Sequence, residues 1–184
     1  MREIRYVEAI REALAEEMRR DDSVITFGEG IGMGGGAYKQ TVGLYEEFGA
    51  VRVCDTPISE LGFTTLSIGP AMAGLRPIVD IMFFDFVFEA SGELFDQAAR
   101  IHFMSNGQFK VPLVIQDVIG AGRSAGAHCS NSPYVLFTHM PGLKVAVPST
   151  PADMKGLLKS AIRDDDPVLV FEHIGLYNMK GSDS

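Results

Sequence analysis

The sequence predicts an α/β fold, a mostly parallel sheet with helices on both faces. Two observations carry this. Strand-length apolar runs alternate with helical segments along the whole chain. Most of those runs, such as "RPIVDIMF", "VPLVIQD" and "PVLVFEH", are continuous rather than alternating, which is how strands buried on both faces read.

The elements follow in order. Residues 6–21, "YVEAIREALAEEMRRD", repeat apolar positions at helical spacing with charges on the other face. A short buried strand at 23–31 ends in a glycine-rich turn, and 32–49 reads as a flexible loop leading into a short helix. Residues 51–55 form a strand. Thr56 and Pro57 look like a cap and first helical residue, starting a helix that runs to about Ala73. A strand at 76–83, a helix at 88–105 and a strand at 111–117 come next. A glycine-rich loop at 118–131 leads to a short helix at 133–138 and a strand at 143–149. Thr150 caps an amphipathic helix at 150–165 with Pro151 at its first position, and 167–173 is the last strand. The tail "NMKGSDS" is polar and is expected to fray.

Composition excludes several classes. The 184 residues, 46% hydrophobic, are enough for one well-cored domain. A formal net charge of −8 without a Lys/Arg cluster argues against nucleic acid as a partner. Two cysteines, Cys54 and Cys129, make no disulfide framework and point to a reducing, cytoplasmic setting. The N-terminal pattern is neither a signal nor a transit peptide. The longest uncharged run, 61–75, is broken by Gly69, Pro70 and Gly74, so it reads as a buried helix rather than a membrane span.

In parallel sheets, ligands sit beyond the carboxyl ends of the strands. The candidate loops are therefore 28–36, 56–60, 82–86 and 118–132. Neither a dinucleotide fingerprint nor a phosphate loop is present, and nothing resembles a Gly-Asp-Gly…Asn magnesium-diphosphate motif. Glu60, in "DTPISELGF", has two readings. One is a first-turn acid complementing the helix dipole. The other is a carboxyl in apolar surroundings whose pKa is raised so that it can donate a proton. "MFFDFVFEA" is either core or the wall of a flat apolar slot at the sheet's mouth. His128, Cys129 and His139 match no metal-ligand spacing.

"DTPISELGF", "AMAGLRPI", "MFFDF" and "HMPGLKVAVPSTPADMKGLLKSAIRDDDPVLVFE" together resemble one family over about residues 4–177. It is the beta chain of the thiamine-diphosphate-dependent decarboxylase component of 2-oxo acid dehydrogenase complexes, which include the pyruvate, branched-chain and acetoin enzymes. The resemblance implies a single transketolase-like pyrimidine-binding domain over 1–184, without the family's further C-terminal domain. It also implies a role for Glu60, which would hydrogen-bond N1′ of the cofactor's aminopyrimidine so that the 4′-imino nitrogen can take the thiazolium C2 proton. By the same matching, Met82 and Phe86 would contact the pyrimidine ring and Glu29 would stand near it as a second acid. The carbonyls of Leu113, Ala161, Asp164 and Asp166 match positions that hold a structural potassium ion in some members, with ordinary turn carbonyls as the alternative.

The implied partners are an alpha chain supplying Mg2+ and the diphosphate site, a second copy of this chain, and a lipoyl acyltransferase core. One departure concerns the acyl-transfer step. Where the family reads Gln-His-Ser-Gln, this chain reads "HCSN" at 128–131. Ungapped alignment puts Cys129 on the family's histidine, and His128 takes the role if the loop shifts by one. The expected function is thus an enzyme component for a 2-oxo acid or acetoin. The alternative is a catalytically idle domain that only dimerises or binds a partner.

Overall fold

The computed structural model describes residues 2–183. Its centre is a six-stranded sheet built from β2 (Val24–Gly28), β3 (Val53–Asp55), β4 (Arg76–Asp80), β5 (Val114–Ile119), β6 (Lys144–Ala146) and β7 (Val168–His173). The order across the sheet is β3-β2-β4-β5-β7-β6, and every neighbouring pair is parallel.

Strand side chains alternate between two cores, because successive residues of a strand point to opposite faces. Ile78, Val114, Val168 and Val170 join one core with Tyr6, Ile10, Leu14 and Met18 of α1 (Tyr6–Arg20) and Met154, Leu158 and Ile162 of α6 (Pro151–Arg163). Val79, Ile115, Leu169 and Phe171 join the other, with Phe63 and Ile68 of α3 (Glu60–Met72) and with Phe84, Leu94 and Phe137. The fourfold spacing in α1 and α6 aligns each stripe along one helix face. Each fully buried Leu or Ile in these stripes contributes roughly 1.5–3 kcal/mol. Phe137, on α5 (Tyr134–Thr138), is the aromatic hub of the second core, with Phe84, Phe95 and Phe171 rings within 6 Å of it.

Four expectations need correction. First, α3 begins at Glu60, not at Thr56 and Pro57. The Thr56 N–H donates to the Gly28 carbonyl at 3.0 Å, which carries the β2–β3 ladder one residue further and keeps 56–59 outside the helix. Second, α3 is not buried all round. Phe63, Thr64, Ser67, Ile68 and Ala71 face the core, while Leu61 and Leu66 face outward, Leu66 with 58% exposure. Third, the helix expected at 88–105 is three pieces: a 3-10 segment Phe84–Ala90, a wider π turn Glu93–Ala98, and α4 (Ile101–Met104). In the wide turn the Ala99 N–H reaches five residues back to Leu94, at 3.0 Å. Fourth, the polar tail is ordered through 183: β8 (Lys180–Ser182) pairs antiparallel with β1 (Glu3–Arg5), and Arg2 and Asp183 form an ion pair beyond it. Ser184 lies outside the described residues. Among the described residues no helix is long and apolar enough to cross a membrane.

Candidate active site

The carboxyl ends of β2 and β4 and the start of α3 open onto one cleft of about 550 Å³, lined by Glu29, Ile58, Ser59, Glu60, Leu61, Met82, Phe86 and Glu89. Each element delivers its residue for a local reason. Glu29 directly follows the last residue of β2 and turns inward, leaving it 7% exposed. Glu60 is the first residue of α3, half-buried at the cleft's rim. Met82 stands two residues beyond β4 in a left-handed backbone conformation, φ 72°, which non-glycine residues rarely adopt. Phe86 lies in the turn that follows, and its ring meets Phe83 edge-on at 5.9 Å.

The electrostatics of the cleft are unusual in one respect. Burial pushes the Glu29 carboxyl up to about 7, and the negative charge of Glu60 pushes it the same way. Its Oε1 is buried with no hydrogen-bond partner. An orphaned carboxyl oxygen beside the apolar side chains of Ile58, Leu61, Met82 and Phe86 offers an acceptor or donor to a polar ligand edge. The lining is compatible with a flat nitrogen heterocycle: Met82 and Phe86 would meet its faces, and the carboxyls its polar edge. The described residues offer no comparable cradle for a diphosphate in the cleft, whose charged lining is all acidic.

Below the cleft the central strands carry a second group of acids. Asp80, Asp117 and Glu172 are buried at the carboxyl ends of β4, β5 and β7. Burial raises Asp80 to about 6, Glu172 to about 8, and Asp117 well above the usual carboxylate range. The Tyr177 hydroxyl donates to Glu172. None of these acids was singled out from sequence. A lone acid interrupting an apolar run, as Asp80 does in "RPIVDIMF", was the available signal.

The glycine-rich loop after β5 carries the remaining candidates. Residues 127–129 form a single 3-10 turn with His128 exposed and Cys129 buried. The Arg123 guanidinium covers the Phe83 ring at 4.6 Å and the Tyr38 ring at 5.5 Å, and donates to the Cys129 carbonyl. His128 and His139 are not among the residues lining the cleft. No group of three or more His, Cys, Asp or Glu among the described residues is arranged to hold a metal.

The four carbonyls considered for potassium lie at the opposite, amino-terminal edge of the sheet. Three already accept a donor: Leu113 from the Val168 N–H, Ala161 from the Asp164 N–H, and Asp164 from Arg76 Nη1 at 2.8 Å. Lys144 bridges the side chains of Asp164 and Asp166 in the same turn.

The fold and the site define an α/β domain, an all-parallel sheet with an acid-bearing cleft at its carboxyl edge. Comparison with known proteins agrees. The profile of the family described as "Transketolase, pyrimidine binding domain" matches residues 2–180, and the chain belongs to that family. It is 48% identical over 179 residues to the pyruvate dehydrogenase E1 component subunit beta of Chaetosphaeridium globosum, covering 97% of this chain and 55% of that protein. It is 45% identical over 174 residues to the 2-oxoisovalerate dehydrogenase subunit beta of Bacillus subtilis (strain 168), covering 95% and 53%. The chain thus spans about half the length of the curated relatives it matches. A solved structure titled as a split gene transketolase, inactive beta4 tetramer, shares the fold at a TM-score of 0.73 and 18% identity, covering 92% of this chain and 51% of that one.

Proposed function

We propose that this chain is the pyrimidine-binding part of the beta subunit of a thiamine-diphosphate-dependent 2-oxo acid or acetoin dehydrogenase component. The observation that carries the reading is the cleft in which Glu29 and Glu60 face Met82 and Phe86, together with relatives named as beta subunits of such enzymes. When bound, thiamine diphosphate supplies the acidic thiazolium C–H and the electron sink for decarboxylation.

This chain's residues bind, orient and move a proton. Glu60 would hydrogen-bond N1′ of the aminopyrimidine and share a proton with it, the contact that would let the ring's 4′-nitrogen serve as a base. Met82 and Phe86 fix the ring plane. Glu29, already raised to about 7 by burial and by the Glu60 charge, stands beside Glu60 as a second proton-holding acid near neutral pH. An alpha chain would close the cleft and bring Mg2+ and the diphosphate site, and a lipoyl acyltransferase core would receive the acyl group, with His128 assisting the transfer. A structural potassium ion on Leu113, Ala161, Asp164 and Asp166 would have to use the second lone pairs of the first three carbonyls, which already accept a donor. Two free thiols, Cys54 and Cys129, fit a reducing, cytoplasmic setting.

The test is Glu60→Gln in the chain assembled with its alpha partner. An amide cannot share a proton with N1′ as a carboxyl can. Hydrogen–deuterium exchange at the cofactor C2 is expected to slow by about 10²–10⁴-fold. An unchanged rate would return Glu60 to the role of a helix-dipole acid.

A further inference from the structure

We infer that Asp80 is the positioning residue of the cleft: its carboxylate sets the turn that presents Met82 and, through Gln40, latches the glycine-rich loop 32–43 against that turn. Its consequence for the cofactor rests on the function proposed above, but its geometry does not.

Asp80 is the last residue of β4 and does not line the cleft. Its Oδ1 accepts the Met82 N–H at 3.1 Å, a side-chain-to-backbone bond two residues on that closes the turn. This bond spans the residue pair that brings Met82 to φ 72°, a conformation its side chain disfavours and the local sequence, without a glycine, does not supply. The other oxygen, Oδ2, accepts Gln40 Nε2 at 2.8 Å. Gln40 is itself buried, and its Oε1 accepts the Tyr38 N–H at 3.0 Å.

Two glycines make room for this arrangement. A Cβ at Gly28 would stand 2.5 Å from the Asp80 carbonyl oxygen and 2.9 Å from its Cβ. A Cβ at Gly36, where φ is +77°, would stand 2.7 Å from the Gln40 amide. The seats of both partners are therefore built into loop and strand residues that carry no side chain. From Tyr38 the contact continues edge-on to Phe83 at 6.0 Å and from Phe83 to Phe86 at 5.9 Å. Asp80 thus reaches both walls of the slot: Met82 through the backbone, Phe86 through Gln40, Tyr38 and Phe83. A buried acid with a purely structural role would need none of these connections to end at the ring-facing residues.

Three variants of the full chain separate the two connections. Asp80→Ala removes both bonds. Asp80→Asn keeps an oxygen for the Met82 N–H but turns a donor toward Gln40. Gln40→Ala removes only the latch. The first readout needs no cofactor: the methionine-methyl NMR spectrum, with the Met82 signal assigned through Met82→Leu. Asp80→Ala is expected to displace the Met82 signal more than those of core Met18 and Met154, whereas Asp80→Asn and Gln40→Ala leave it close to its original position.

The second readout is kinetic, in the complex with the alpha partner. Asp80→Ala is expected to raise the KM for thiamine diphosphate about tenfold while kcat changes by less than about threefold. Asp80→Asn, which loses the Gln40 latch and keeps an acceptor for the Met82 N–H, is expected to raise this KM less than Asp80→Ala does. A Met82 signal that does not move in Asp80→Ala overturns the inference whatever the cofactor does. So does a displaced signal with unchanged KM, or with KM unchanged and kcat lost. If Asp80→Ala does not fold, the test passes to Asp80→Asn, where a displaced Met82 signal overturns the inference and a retained one, with Gln40→Ala loosening amide exchange in 32–43, supports it. A wild-type complex that shows no dependence on thiamine diphosphate overturns the proposed function instead, and the methyl readout still decides the positioning role.

Discussion

Glu29 and Glu60 face one cleft from different elements, Glu29 just past β2 and Glu60 at the first turn of α3. They are coupled: after burial, the Glu60 charge is the next cause that raises the Glu29 carboxyl. Glu60→Gln should therefore lower the Glu29 pKa, because a neighbouring negative charge that opposed ionisation is gone. Burial persists, so the value should remain above that of an exposed carboxyl. Carboxyl-carbon NMR titration measures it. A Glu29 titration curve that does not move would show that the two acids do not share a field.

The turn at 127–129 makes a prediction about division of labour. His128 is exposed, while Cys129 is buried with its carbonyl held by Arg123. His128→Ala should impair acyl transfer to lipoamide more than decarboxylation read with an artificial electron acceptor. Cys129→Ala should do little to the transfer step. Equal loss in both assays for His128→Ala, or the reverse pattern between the two residues, would remove His128 from that step.

By itself the chain should hold thiamine diphosphate weakly. The cleft offers one ring slot and acidic side chains, with no cationic side chain in its lining. A ring of that size must first overcome lost translational and rotational freedom. Dissociation constants on the order of a millimolar or weaker are expected from calorimetry with cofactor and Mg2+. Micromolar binding by the chain alone would require a diphosphate site on it and would contradict the two-chain arrangement.

The buried acids give stability a definite pH slope. Glu172 is raised from 4.5 to about 8 in the folded chain, so the folded state holds its proton after the unfolded state has released it. Its contribution is fully present below about pH 4.5 and is lost as the pH rises through about 8. Asp80, raised to about 6, acts in the same direction over a lower window. Glu172→Gln mimics the protonated carboxyl and keeps an acceptor for the Tyr177 hydroxyl. It should flatten the fall in stability between pH 5 and pH 8 by roughly a few kcal/mol, read from urea unfolding across that range. An unchanged slope in the variant would mean that Glu172 ionises in the fold without cost.

Much of this protein is determined by patterns short enough to read along the chain. The alternation of apolar runs with helical periods specifies the parallel sheet, and the fourfold stripes of α1 and α6 specify which face each helix buries. The start of α6 was legible for the same reason. Thr150 caps it through its own side chain, accepting the Asp153 N–H at 3.1 Å, with Pro151 in the first turn. Glu60 stood out because a lone acid in an uncharged stretch is itself a local signal.

What only the tertiary structure decided depends on partners distant in sequence. The start of α3 is delayed because Thr56 is drawn to Gly28 in a neighbouring strand. The tail is ordered because Lys180–Ser182 finds Glu3–Arg5 at the other end of the chain. The outward apolar face of α3 was hidden in a run that reads as uniformly apolar, since sequence alone does not say which side of such a helix the core reaches. Asp80 and Gln40 are forty residues apart, and neither residue type announces the bond between them. A hydrogen bond across that distance is set by where the sheet places Asp80 and the loop after β2 places Gln40, so it exists only once the fold has formed.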